Sequence, residues 1–216
     1  MRRTARFMLS LALGGGLAAP AAGQTTRVGL FVGLDQQAEP NGARRALVQV
    51  QDLLRDPRWA TALDQSFPIR LSFRLEIWRS REGWIDDFQR ATEWSTVIQR
   101  EPLEDQYHVT RILLSGAEEF RFATQDLLDH WISAINKVDA LPQGSGSFYY
   151  TVTLRITALS DEEMEELERF LSGQSGPPGR ERSSIGRSVR RFLLRMAGLP
   201  WEELEAKSGK FTVVRR

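Results

Sequence analysis

Cysteine is absent from this chain of 216 residues. That excludes disulfides, thiolate metal sites and a lipid-anchored N-terminal cysteine. Histidine is nearly absent too, with only His108 and His130. Neither belongs to a metal-spaced cluster, and no HExxH, GxSxG or phosphate-loop pattern occurs. Charge of one sign is also missing: 29 basic residues stand against 28 acidic ones, a formal balance of +1. Such a balance gives no electrostatic case for a nucleic-acid partner. No internal repeat is visible, and no apolar run is long enough to span a bilayer.

What is present begins at the N-terminus. Arg2, Arg3 and Arg6 precede a short apolar core from Phe7 to Leu13, then Gly14 to Gly16, then the small residues Ala21-Ala22-Gly23. This is the pattern of a secretory signal peptide over residues 1–23. The Arg2-Arg3 pair lacks the surroundings of a twin-arginine signal, so general export is expected. Cleavage would remove three arginines and no acid, taking the charge to the acidic side. The expected location is therefore periplasmic or secreted.

The strongest structural signal is Pro68 to Phe88. Ile69, Leu71, Phe73, Leu75 and Ile77 share one parity; Arg70, Ser72, Arg74, Glu76 and Trp78 share the other. Side chains of a strand alternate faces, so this predicts a long strand with one buried side. Burying the five apolar side chains contributes on the order of 10 kcal/mol before entropy is subtracted. A slip of one residue would carry three charges into the core, which pins the register. A second strong strand is expected from Phe148 to Ala158, where Phe148, Tyr150, Val152, Leu154, Ile156 and Ala158 alternate. Weaker alternation predicts strands over 28–34, 90–100 and 106–114, the last two as a hairpin. Phe120 to Ala123 reads as a short strand at most. Residues 44–54 fit a helix or a strand; the Asn41-Gly42 turn before them favours a returning strand.

Helix signals are few. Asp56-Pro57 supplies an N-cap and a first-turn proline. Thr124 caps a predicted helix through Lys137, with Leu127, Leu128, Trp131, Ile132 and Ile135 inward. Ser160 with Glu163 forms a capping box for an acidic helix over 161–171. Residues 172–186 read as a flexible linker rich in Gly, Pro and Ser. A basic helix over 187–197 follows, then a short helix from Pro200 and a strand-like tail from Lys210. The expectation is a mainly β fold, an antiparallel β-sandwich or curled sheet with a few short helices. The β-rich domain covers 24–171, and 187–216 form a C-terminal helical appendage and tail.

Function is less legible. Asp86-Asp87 reads as a solvated turn rather than a cation site. No catalytic, cofactor-binding or metal residue is assigned, and a non-enzymatic binding or structural module of the cell envelope is expected. Its partner would be an envelope protein or a glycan, and no oligomeric state is assigned. Tryptophan is the richer signal. Trp78, Trp84 and Trp94 lie on or beside paired strands, with Arg70 and Arg74 near Trp78, as a candidate glycan- or lipid-binding face. The competing reading buries these indoles in core or rim, as large aromatics usually are. A hydrolase assembled from scattered residues around His108 or His130 is the third reading. On the basic helix, Phe192 lies on the apolar arc, and Arg187, Arg190, Arg191 and Arg195 on the opposite one. Docking onto the acidic helix and peripheral contact with an anionic membrane are its two expected roles.

Several landmarks occur together in order: Ala62-Leu63, Phe67-Pro68-Ile69, the strand ending in Trp78-Arg79, then Trp84 and Asp86. Tyr107-His108-Val109, Phe122-Ala123-Thr124 with Leu127-Leu128, and Tyr149-Tyr150-Thr151-Val152 follow. This order resembles a family of uncharacterised exported bacterial proteins, domain of unknown function family 4390, over about half of the chain. The resemblance implies export and no established activity.

Overall fold

The computed structural model describes residues 27–159 and 200–215. The signal-peptide reading of 1–23, the acidic helix, the linker and the basic helix all lie outside the described residues. The rest is mainly β, in two antiparallel sheets with two short helices.

The chain opens with β1 (Gly29–Leu34) and returns as β2 (Ala46–Gln51), paired antiparallel. The ambiguous stretch is thus a strand, with Ala46, Val48 and Val50 buried on one parity. The turn between them holds Gly42 at φ +85, where a Cβ would stand 2.6 Å from the carbonyl oxygen of Thr212. Only glycine fits that close approach. Helix α1 (Pro57–Asp64) starts where the sequence predicts: the Asp56 side chain accepts from the Arg58 backbone N–H at 3.0 Å, with proline in the first turn. Trp59, Ala62 and Leu63 are its buried face.

The organising strand is β3 (Ile69–Ser80), whose five apolar residues are all buried. It is paired along its whole length, with β4 (Asp87–Glu101) on one side and β8 (Gly146–Ala158) on the other. Beyond β4 lie β5 (Gln106–Leu113) and β6 (Gly116–Phe122). The expected Phe120–Ala123 fragment is therefore only the end of a longer strand. Its first half, Ala117 to Glu119, carries no apolar alternation because it is an exposed edge held by backbone pairing to β5.

Helix α2 (Gln125–Ile132) is capped by Thr124 as expected but stops five residues early. Residues 136–138 form β7 (Asn136–Val138), which pairs with β2. Backbone pairing to the open edge of β2 wins over a helical periodicity that continues by coincidence. Leu128 and Ile132 face inward, Trp131 packs on the core edge, and Leu127 and Ile135 are 55% and 61% exposed rather than inward.

The expected short helix from Pro200 is instead β9 (Trp201–Lys207), and the tail contributes β10 (Phe211–Val213). Both pair with β8, so residues 200–215 complete the large sheet and are no appendage. Glu-rich helical propensity misleads here; Leu204 and Ala206 alternate with Glu203 and Glu205 and pair against β8.

The result is a seven-stranded sheet in the order β10-β8-β3-β4-β5-β6, with β9 also on β8, faced by the three-stranded sheet β1-β2-β7. Apolar residues of β2, β3, β8, α1 and α2 form one core between these layers. Tyr150 spans them, its hydroxyl within 2.6 Å of the Arg44 carbonyl oxygen and 2.9 Å of that of Ala140. The layers approach each other where β1 meets β9, and beside β7 they are joined by the Arg111–Asn136 hydrogen bond.

Candidate functional site: the cleft between the sheets

The opening beside β7 is a cleft of about 320 Å3, bounded by Thr92 to Trp94 of β4, the β5–β6 turn, and Asn136 to Asp139. Its size lies at the lower end of what ligand sites usually have. Antiparallel register puts Trp94 opposite Phe73, so its indole faces the inner side of the sheet. The two rings stack with centroids 4.9 Å apart and planes 6° from parallel. Leu113, Leu114 and Val138 supply apolar wall. Leu114 is 89% exposed at the mouth. A smaller space of about 20 Å3, bordered by Val48, Leu71 and Phe73, shares Trp94, Arg111 and Asn136 with the cleft.

Arg111 is the polar centre. It occupies an inward-facing position of β5, the parity of Tyr107 and Val109, where an apolar residue would be ordinary. Two rings support its guanidinium: Trp131, with the centroid 4.8 Å away, and Phe120 at 5.7 Å. One N–H donates to Asn136 Oδ1 at 3.2 Å, and Glu118 stands 4.0 Å away. An arginine has five N–H donors. The remaining ones have no hydrogen-bond acceptor among the described residues. Asn136 is positioned by its own amide, which donates to the Ala134 carbonyl at 3.0 Å. The arrangement offers a delocalised cation beside a flat aromatic floor, suited to holding an anion whose remainder is apolar.

The five residues taken from the sequence as one face lie in three places. Trp94 lines this cleft. Arg70 and Arg74 lie on the opposite side of the large sheet, in an open groove of about 430 Å3 with Arg155. There Arg74 is paired with Glu76 and Glu93, and Arg155 with Glu203. Trp78 shares that outer side, half-buried, donating to Glu76 Oε2 at 3.1 Å and meeting Phe88 edge-on. Trp84 stands on the turn between β3 and β4 and is 82% exposed. Alternation along one strand places Trp78 correctly; it cannot place Trp94, whose side is fixed by pairing across strands. Arg187, Arg190, Arg191, Phe192 and Arg195 lie outside the described residues.

The turn carrying Trp84 is braced by Asp86. Its carboxylate accepts from the Tyr149 hydroxyl at 2.7 Å and from the Arg81 backbone N–H at 3.1 Å. These bonds, that of Tyr149 foremost, hold the Asp86 carboxyl below its usual range. Desolvation, with help from Asp86, pushes the Tyr149 phenol up to about 12.

His108 and His130 are not brought together. His108 lies on the outer side of β5, 3.6 Å from Glu119 and 3.9 Å from Glu101, while His130 is exposed on α2. Among the described residues no group of three or more acidic or histidine side chains could hold a metal ion. No helix among them is long and apolar enough to cross a membrane.

Sequence reasoning missed Arg111 and Asn136 as a pair. The available signal was a charged residue on the apolar parity of β5. Asn136 carried none, since the strand it belongs to reads as helix.

No curated protein and no solved structure matches this chain. Residues 51–164 match the family described as Domain of unknown function (DUF4390). The match runs from the last residue of β2 past the end of β8 and includes Trp94, Arg111 and Asn136. It covers more than half of the chain, which therefore belongs to the DUF4390 family.

Proposed function

We propose that the protein is an exported, non-enzymatic binding module of the cell envelope whose cleft holds an amphipathic anion. The apolar part of the ligand lies against Trp94, Leu113 and Val138, and its anionic group meets Arg111. The observation that carries this reading is the arginine: ring-supported, positioned by Asn136, with unused donors at an aromatic-floored cleft. The outer groove is the weaker seat, because Arg74 and Arg155 there are hydrogen-bonded to Glu76 and Glu203, whereas Arg111 meets Glu118 only at 4.0 Å. Export is supported by the basic start, short apolar core and small residues before Gln24.

Displacement of a fluorescent anionic probe, anilinonaphthalene sulfonate, tests the binding reading. Dodecanoate should displace it and Arg111→Gln should weaken both ligands, while neutral oligosaccharides should do nothing. Displacement by oligosaccharides with none by dodecanoate would replace this reading with a glycan site. Intact mass of the exported protein tests the location: an N-terminus at or near Gln24 is expected, and retention of residues 1–20 would refute it.

A further inference from the structure

Trp84 and Ile85 are 82% and 91% exposed, adjacent in sequence, and at the tip of the β3–β4 hairpin. Such side chains are ordinarily covered, and single exposed apolar residues need no explanation. This pair differs because the turn that presents it is built. The Trp84 backbone N–H donates to the Arg81 carbonyl at 3.2 Å, and Gly83 takes φ +75 at the third turn position. Asp86 ties the turn to Arg81 and, through the Tyr149 hydroxyl, to β8. Arg81 also pairs with Asp87 at 2.8 Å. Two large apolar groups are thus presented outward by a braced turn.

Long cationic side chains surround the tip. Lys210 Nζ lies 2.7 Å from Ser80 Oγ, Lys207 lies over the Tyr149 ring at 3.5 Å, and Arg81 stands at the base of the turn. Asp86 and Asp87, the nearest carboxylates beside Glu82, are occupied in bracing. A convex tip with two apolar side chains is too small for a stable protein interface, which needs about 800 Å2 from each partner. It suits the interfacial zone of a bilayer, where indoles settle at headgroup depth and neighbouring Lys and Arg stems reach the phosphates.

We infer that the β3–β4 tip is a membrane contact: Trp84 and Ile85 insert into the interfacial region of a lipid surface carrying anionic headgroups. The contact is independent of what the cleft holds.

The test uses the full chain with phosphatidylethanolamine vesicles containing phosphatidylglycerol, read by co-sedimentation and by quenching of Trp emission with brominated acyl chains. The double variant Trp84→Ser/Ile85→Ser removes only exposed groups, so its melting temperature should match the wild type. Its vesicle partition should fall at least about ten-fold, with loss of the quenching, while Trp84→Phe keeps most of the binding. Partition unchanged in the double variant would overturn the inference and assign any vesicle binding to another part of the chain. So would a wild-type dimer that dissociates in that variant without vesicle binding, which would make the tip a contact between copies.

Discussion

Replacing Tyr150 with phenylalanine tests how the two layers are held together. Tyr150 is fully buried on β8, with its ring stacked on Phe211 at 5.4 Å. Its hydroxyl reaches the carbonyl oxygens of Arg44, just before β2, and Ala140, just after β7. Both acceptors belong to the second layer, so one oxygen atom fastens that layer to the large sheet. Tyr150→Phe keeps the ring and its packing and removes only the donor. A net hydrogen bond is worth about 1 kcal/mol, and a buried carbonyl left without its partner adds about as much again. The expected loss is about 2 kcal/mol, or about 4–8 °C in melting temperature for a chain of this size.

The pH dependence gives a second reading of the same bond. Burial raises the Tyr150 phenol above its ordinary value, against smaller opposing effects of Arg90 and Arg45. A group whose folded pKa is raised contributes fully below its unfolded value, about pH 10, and loses that contribution as pH climbs through the folded value. Wild type and Tyr150→Phe should therefore differ most at neutral pH and converge above about pH 10. Thermal melts followed by near-ultraviolet circular dichroism across this range are the assay. A variant melting within about 1 °C of the wild type at pH 7 would refute the reasoning.

Two further substitutions test the facing and the capping. Phe73→Asp puts a charge between the sheets and should abolish folding, at a cost of several kcal/mol. Arg74→Asp, on the outer side beside Glu76 and Glu93, should cost only about 1–2 kcal/mol from like-charge contact; equal losses in urea melts would contradict the assigned faces. Asp56→Ala removes the α1 cap and should cost about 1–2 kcal/mol. Burial raises the Asp56 pKa, yet the bonds from Arg58 outweigh it and leave it lowered. That stability is present above about pH 3.8 and lost as pH falls through the lower folded value. Acid melts of the Asp56→Ala variant should lack this component, and an unchanged acid transition would show that the cap carries no weight.

How far the sequence revealed the fold follows from which forces set each element. β3 and β8 are legible because burial on one side imposes a strict two-residue period, as Ile69 to Ile77 and Phe148 to Ala158 show. The α1 start is legible because Asp56 and Pro57 act locally. β6, β7 and β9 are not, since backbone pairing to a neighbour holds them and leaves little mark on side-chain order. The candidate site suffers from the same blindness. Trp94 and Arg111 are visible singly, but only the registers Phe73–Trp94 and Thr96–Arg111 put them on one side of one sheet. Asn136 arrives from a different sheet altogether.

The proposed cleft site is tested most directly by side-chain nuclear magnetic resonance of the full chain titrated with dodecanoate. The indole N–H of Trp94, the guanidinium of Arg111 and the side-chain amide of Asn136 should shift together and saturate at one affinity. Arg111→Gln should abolish the response of the other two. Shifts centred on Arg70, Arg74 and Arg155, with Arg111 and Asn136 silent, would place the ligand on the outer side of the sheet and contradict the cleft.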